Sequence, residues 1–328
     1  MIERRQLGST AMNVTRLALG GLFISDLGGN GASGASAIVK KAAALGLNYI
    51  DTAPAYGDSE VVLGEAFGHL DKFYVSTKLG GRPTPFDPKN RASLRESFEE
   101  SLRLLRREYI DILFVHEPDR PGQYDWWDDY DSFYGPVSDV LADLKGSGLV
   151  RYTGVGGTTA YELARLVATG AYDVVLSAFN YSLLWTEADI ELLPEAKRQN
   201  MGVIAGSPLQ GGALARRYEE VKGGAPWLSP PRRRQFLDLY DLLDNLDMSI
   251  SEVGLRFVMS NEDIDVVLTG ARSVDELTAN VAAAERGKLP EAVLDDLRAI
   301  TRSVPFRPFE EPGLLPFGRL YRGPGPLQ

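Results

Sequence analysis

Short apolar runs alternate with amphipathic stretches along nearly the whole chain, and this rhythm narrows the possible folds more than any other feature. The runs fall at 15–19, 49–51, 73–77, 110–115, 152–155, 174–178, 202–205 and 266–269. Stretches with apolar residues spaced near 3.6 follow at 35–45, 59–67, 90–106, 137–145, 161–168, 188–199, 232–243 and 274–285. Eight strands alternating with eight helices predict an α/β fold, a single (β/α)8 TIM barrel, read as one domain over residues 1–328. A helix at 250–259 is then an extra before the last strand. Residues 5–7 and 13–14, around Gly8-Ser9, suit a hairpin plugging the barrel floor. Capping boxes are expected at Thr159 with Glu162, Ser249 with Glu252, and Ser273 with Glu276. Long loops at 117–136 and 210–231 follow strands, which puts them on the C-terminal face, where barrel enzymes work. The tail from 304 is rich in Pro, Gly and Phe and shows no clear element.

Composition removes several classes of function. The net charge of −10 argues against a phosphate-backbone binder, so no nucleic-acid partner is expected. With no cysteine there are no disulfides, thiol nucleophiles or thiolate metal sites. The two histidines, His69 and His116, lie far apart, and no metal site is expected. No apolar run is long enough to span a bilayer, and the first residues lack the apolar core of a signal peptide. A cytoplasmic protein without a membrane partner is the expectation.

One glycine pattern invites a dinucleotide-binding reading. Gly29-Asn30-Gly31-Ala32-Ser33-Gly34 matches G-x-G-x-x-G, and Asp51 follows about 20 residues on. Those glycines work only in the tight turn directly after a strand, so that pyrophosphate meets a helix N-terminus. Here the strand ends near Gly20 and eight residues intervene, so a surface loop is the preferred reading.

A different group of residues carries chemistry. Asp51, Lys78 and His116 end three successive apolar runs, and Tyr56 follows in the loop Asp-Thr-Ala-Pro-Ala-Tyr-Gly. Singly, each reads as a turn cap, a solvated strand end, a hydrogen-bonded histidine and a packing tyrosine. Their coincidence at successive strand ends changes that, because strand ends on that face converge on one pocket. A free tyrosine has a pKa of about 10, and a nearby ammonium lowers it. Asp51 pairs with Lys78 in this reading, and His116 orients a substrate oxygen. Together they form a general acid–base for a carbonyl or hydroxyl, with hydride supplied by a cofactor.

With these residues in place, the chain closely resembles the aldo-keto reductase family. The matching stretches are Asn48-Tyr49-Ile50-Asp51-Thr52-Ala53 with Tyr56-Gly57 and Ser59-Glu60, then Ser76-Thr77-Lys78, then Ser101-Leu102-Arg103-Leu104-Leu105 running into Tyr109-Ile110-Asp111 and His116. Gly154-Val155-Gly156, Ser207-Pro208-Leu209 and Gly270-Ala271-Arg272-Ser273 with Asn280 complete the set. The resemblance implies the barrel, a catalytic tetrad of Asp51, Tyr56, Lys78 and His116, and NAD or NADP bound extended. It implies cofactor contacts from Gly21, Asp51, Gly156, Gly157, Ser207, Pro208, Leu209, Gly211, Gly270, Arg272, Ser273, Glu276 and Asn280. Glu276 suits a ribose 2′-hydroxyl and repels a 2′-phosphate, while Arg272 pulls the other way, so NAD is favoured over NADP.

The chain also departs from the family pattern. Many members carry Ser-Asn after strand five, where the amide grips the nicotinamide carboxamide; here the residues are Gly156-Gly157. Many carry a glutamine in strand six, where this chain has Leu176-Ser177-Ala178, and an aromatic residue before Ser-Pro-Leu, where it has Gly206. The combination looks most like the aldose (galactose, fucose) 1-dehydrogenase and pyridoxal dehydrogenase branch. A sugar-like or aldehyde substrate is the expected small-molecule partner, held by Phe23, Tyr56, His116, Trp126 and Trp127. Tyr124 and Tyr130 flank those tryptophans among aspartates, which suits a polyhydroxylated ring or a loop packed on its own aromatics. Phe306, Phe309 and Phe317 of the tail are candidates to close over the site. The alternative is a non-catalytic NAD(P)-binding regulatory subunit or sensor.

Overall fold

A hairpin of β1 (Arg4–Gln6) and β2 (Asn13–Thr15) precedes eight parallel strands that close into a barrel. These are β3 (Leu17–Gly20), β4 (Tyr49–Asp51), β5 (Tyr74–Leu79), β6 (Ile110–His116), β7 (Val150–Gly157), β8 (Val174–Ala178), β9 (Gly202–Gly206) and β10 (Val266–Thr269), in sequence order around the ring. The helices are α1 (Gly31–Ala44), α2 (Ser59–Phe67), α3 (Arg91–Leu105), α4 (Pro136–Gly146), α5 (Ala160–Ala168), α6 (Leu192–Arg198), α7 (Glu219–Gly223), α8 (Pro230–Asp244), α9 (Ile250–Met259), α10 (Val274–Glu285) and α11 (Glu291–Arg302). This computed structural model describes residues 1–67, 73–307, 311–312 and 314–319; His69 and Phe309 fall outside them. No helix among the described residues is long and apolar enough to cross a membrane.

Two apolar clusters follow from the period of two along each strand. Residues facing outward pack under the helices. Those facing inward fill the lumen, with Ala18, Tyr49, Ile112, Phe114, Val174, Leu176, Ile204, Val266 and Leu268 in one cluster. Leu7, Met12 and Val14 join it from the hairpin, which therefore plugs the floor as expected. The hairpin turn is tight against β9: Ser9 donates its amide to Asn200 O at 2.8 Å, and a Cβ on Gly8 would fall 2.2 Å from Gly202 N.

The helix assignments need two revisions. The helix that leans on β10 and α10 is α9, so α9 closes the ring and α8, packed on α11 and α7, is the extra one. Helix α11 was not anticipated, although Leu294, Leu297 and Thr301 bury one face at helical spacing. Caps also differ in part. Ser249 and Ser273 accept from the amides of Glu252 and Glu276 as expected. Their carboxylate arms do not return to the cap: Glu252 pairs with Arg256 and Arg286, and Glu276 accepts from Arg272 N. Thr159 makes no side-chain cap at α5; a carboxylate from another loop, Asp119, takes the amides of Thr158 and Thr159.

The Gly29–Gly34 pattern does not follow a strand. Short turns at Gly21–Phe23 and Asp26–Gly28 separate it from β3. Gly29 (φ 74) and Gly31 (φ 60) serve a left-handed entry into α1, with open space where their Cβ atoms would be. This agrees with the surface-loop reading.

Candidate active site

The inward period of two runs on past the apolar layers to the strand ends. Tyr49 leads to Asp51, Ser76 to Lys78 and Phe114 to His116, so three neighbouring strands present polar groups at the barrel mouth. Asp51, Lys78 and His116 are buried, 3%, 2% and 7% exposed. The Lys78 ammonium donates to Asp51 Oδ2 and to Thr52 O, both at 2.7 Å. Asp51 Oδ1 accepts from Ser76 Oγ at 2.6 Å, and Ser76 accepts from the Tyr49 hydroxyl at 2.7 Å. Sequence reasoning missed Ser76 and Tyr49, which orient Asp51 from below. Their signal was the alternation itself, since both share its inward face.

Tyr56 meets this group from the loop after β4. Its ring centre lies 4.8 Å from Lys78 Nζ and 6.0 Å from the His116 ring, edge to face at 81°. All four predicted residues therefore converge. Burial raises the Tyr56 hydroxyl above its ordinary value; the charge of Lys78 lowers it, and Asp51 raises it again. The net direction is the reverse of that expected from the ammonium alone, because desolvation disfavours a phenolate more than the neighbouring charge favours it. Burial would lower Lys78, but Asp51 and Tyr56 hold it above its ordinary value and so charged. Burial, then Lys78 and Arg120, push His116 well below its usual range, leaving a neutral imidazole at neutral pH. Its Nδ1 is buried without a partner among the described residues.

The loop after β6 builds one wall. A Cβ on Gly80 would meet Tyr124, His116 and Trp126 at 3.3, 3.7 and 3.8 Å, so Tyr124 stands beside the mouth and Trp126, fully buried, packs behind it. Phe86 packs on both rings. Trp127 instead points into the rim against Phe133, and Tyr130 is exposed and bonded to Asp125. The Phe23 ring covers Gly270, and the Arg272 guanidinium sits 4.5 Å above it.

The opposite arc of the mouth is built from small residues. Gly156, Ala178 and Gly206 follow the inward pattern of β7, β8 and β9. A Cβ on Gly206 would press on Ala178 and Leu176 at 3.3–3.4 Å. The departures noted in the sequence thus leave this arc without a bulky side chain. Gly21 is packed on Asp51 O, Ser59 and Thr52, where a Cβ would come within 2.7 Å. Beyond β9, Ser207, Gln210, Gly211 and Gly212 all have positive φ, folding Pro208 and Leu209 into a tight turn. Leu209 packs against Gly254 on α9. Beyond β10, Arg272 and Ser273 are exposed at the start of α10, and Asn280 is turned inward, donating to Thr269 Oγ1 at 2.8 Å.

Neither Phe306 nor Phe317, the described aromatics of the tail, packs on the four converging groups. Phe306 is exposed, and Phe317 stacks on Tyr218 and packs on Trp227 and Phe236. Leu314 lies against Gly211, and Glu311 makes a fully buried pair with Arg232 at 2.9 Å. A cleft of about 480 Å³ on the outer wall, lined by Tyr181, Phe257, Lys288 and Arg298 among others, contains none of the four converging groups.

Comparison with known proteins agrees with this architecture. The aldo/keto reductase family model matches residues 16–302. L-galactose dehydrogenase of Arabidopsis thaliana is 30% identical over 319 residues, covering 92% of this chain and 95% of its own. The NADH-specific methylglyoxal reductase of Escherichia coli is 28% identical, covering 86% of this chain and 93% of its own. An aldo-keto reductase of Bacillus halodurans has the same fold, with a TM-score of 0.75 at 22% identity over 94% of this chain and 99% of its own. Matched over most of its length by the family model and by a relative at 30% identity, this chain belongs to the aldo/keto reductase family and is an oxidoreductase.

Proposed function

We propose that the protein moves hydride between NAD(P) and the carbonyl or alcohol carbon of a sugar-like or aldehyde substrate, with Tyr56 as proton donor and acceptor. The observation that carries this reading is the Lys78 ammonium, fixed by Asp51 at 2.7 Å and 4.8 Å from the Tyr56 ring centre. The site suits the cofactor in that Gly156, Ala178 and Gly206 set no bulky side chain beside the polar groups. Gly21, Ser207, Pro208, Leu209 and Gly211 would border the pyrophosphate. Gly270, Arg272, Ser273 and Glu276 would border the adenosine ribose, with Asn280 behind them. When bound, the nicotinamide gives or takes the hydride.

The chain's own groups handle the proton and the orientation. Burial keeps the Tyr56 hydroxyl protonated at neutral pH, so it is ready to donate to the substrate oxygen as negative charge develops there. Lys78 then stabilises the phenolate left behind, and Asp51 keeps that ammonium charged and in place. In the oxidative direction the same groups accept the proton. His116, neutral, holds the substrate oxygen by a hydrogen bond. Tyr124, half-buried beside Gly80, offers an aromatic face that suits the apolar side of a sugar ring, with the fully buried Trp126 packed against it. The relative in Arabidopsis thaliana, named for L-galactose, supports an aldose among the substrates. The Glu276 carboxylate would repel a 2′-phosphate, so NAD is the preferred cofactor, in keeping with the NADH-specific relative.

The test is turnover of a panel of aldoses, pyridoxal and simple aldehydes with NAD(H) and NADP(H). Activity is expected with at least one aldose or aldehyde, and Tyr56→Phe should lower kcat by about 10²–10⁴-fold while NADH still binds. Full activity in Tyr56→Phe would remove the tyrosine from the mechanism.

A further inference from the structure

Between β6 and α5 a carboxylate has hydrogen-bonding capacity that the protein leaves unused. Asp119 lies three residues past His116 and is 9% exposed. Its Oδ2 accepts from Thr158 N at 2.8 Å, Thr159 N at 2.6 Å and Thr158 Oγ1 at 3.3 Å. Its Oδ1 is buried and has no partner among the described residues. The neighbouring Arg120 turns instead to Glu117, at 2.9 Å. A buried carboxylate oxygen without a donor is strongly unfavourable, so a donor from outside the chain is the natural complement.

The place of that oxygen narrows what the donor is. Gly157 comes one residue after the register pair of His116 with Gly156. A Cβ on Gly157 would fall 2.3 Å from Asp119 Oδ1 and 2.6 Å from its Cγ. Gly157 does not have a positive φ, so glycine stands there for space rather than for backbone freedom. The carboxylate thus occupies the volume that a side chain at position 157 would take. It lies at the carboxyl end of β7, next to the end of β6 that carries His116. A nicotinamide whose reacting C4 faces a carbon held by Tyr56 and His116 carries its carboxamide on the adjacent ring carbon. That carboxamide therefore lies within a few ångströms of the reacting centre, and its amino group needs an acceptor.

We propose that Asp119 Oδ1 accepts a hydrogen bond from the carboxamide amino group of the nicotinamide and so fixes which ring face meets the substrate. This rests on the NAD(P) reading above. Asp119 is a positioning residue for the cofactor: one oxygen caps α5, and the other reads the carboxamide. It supplies from the β6 loop the polar group that Gly156-Gly157 cannot.

Quenching of the four tryptophans gives the measurement. NADH, its reduced 3-acetylpyridine analogue (a methyl in place of the amino group) and ADP-ribose are titrated into wild type and Asp119→Asn. In the variant the side-chain oxygen stays on the Thr158 and Thr159 amides, which turns an NH₂ donor toward the carboxamide. Wild type is expected to bind NADH about tenfold or more tightly than the analogue. Asp119→Asn should lose that preference and bind ADP-ribose as wild type does. Asp119→Ser, which keeps a short cap acceptor and removes Oδ1, serves the same purpose if the asparagine variant does not fold. Equal binding of the two reduced dinucleotides by wild type overturns the assignment. So does a variant that melts at a lower temperature yet keeps the preference, which would leave Asp119 as a helix cap alone. A change confined to the KM of an aldose would assign the oxygen to a substrate hydroxyl and equally overturn it. If wild type binds neither NADH nor ADP-ribose, the NAD(P) reading itself fails.

Discussion

Replacing Lys78 with methionine separates what the buried ammonium does for stability from what it does for the reaction. The ammonium makes two bonds of 2.7 Å, to Asp51 Oδ2 and Thr52 O, in a site where both side chains are almost wholly buried. Without it, Asp51 keeps, among the described residues, only the Ser76 hydroxyl, on its other oxygen. Breaking a buried pair by removing one partner costs about 3–5 kcal/mol, because a charge is left stranded. Adding Asp51→Asn removes the stranded charge and keeps the bond to Ser76, so the double variant should recover to within about 2 kcal/mol of wild type. Activity should not recover, because Tyr56 has lost the charge that offsets its burial. Chemical unfolding of the four proteins, with turnover measured beside it, makes the comparison. A deficit in Lys78→Met below about 1 kcal/mol, or losses in the double variant that simply add, would refute the reasoning.

Two further outcomes follow from buried groups. The folded imidazole of His116 titrates well below the usual value, so as pH falls below about 6.5 the unfolded chain binds a proton that the folded chain refuses. Stability is then complete above that pH and declines beneath it, by up to about 1.4 kcal/mol per pH unit; His116→Gln should flatten this slope, and unfolding curves that stay parallel from about pH 7.5 to 4.5 would contradict it. Glu311→Ala strands the Arg232 guanidinium, and should cost about 3–5 kcal/mol and release the tail to limited proteolysis; an unchanged cleavage pattern would show that the pair does not anchor it.

The parts of this molecule that sequence reasoning reached are those governed by local pattern. Strand ends carrying Asp51, Lys78 and His116 stood out because a charged or polar residue closing an apolar run is conspicuous. Ser76 did not, since a serine inside the run is inconspicuous, although it shares the inward face of Lys78 two residues on. The direction of the Tyr56 shift was misjudged for a related reason: a neighbouring charge is visible in a motif, whereas the depth of burial is a property of the closed barrel. Thr159 was read as a cap because it has the right chemistry next to α5. A carboxylate 40 residues earlier in the chain won those amides, and no local rule could have named it. Phe23 was offered to the substrate because it follows the first strand and Trp127 because it lies in the loop after His116; packing sets the first ring over Gly270 and the second against Phe133. Helix α11 was readable from its apolar spacing but lies after the eighth unit, where the repeating pattern no longer asks for one.

The polar groups of β4, β5 and β6 occupy one arc of the barrel rim, and the aromatic wall comes from a separate excursion after β6. Strand-borne groups are pinned by the sheet, while an excursion can be lengthened, shortened or exchanged without disturbing them. A lineage built this way can be re-aimed at new molecules by grafting a single segment, and it inherits its strand-borne polar cluster intact each time.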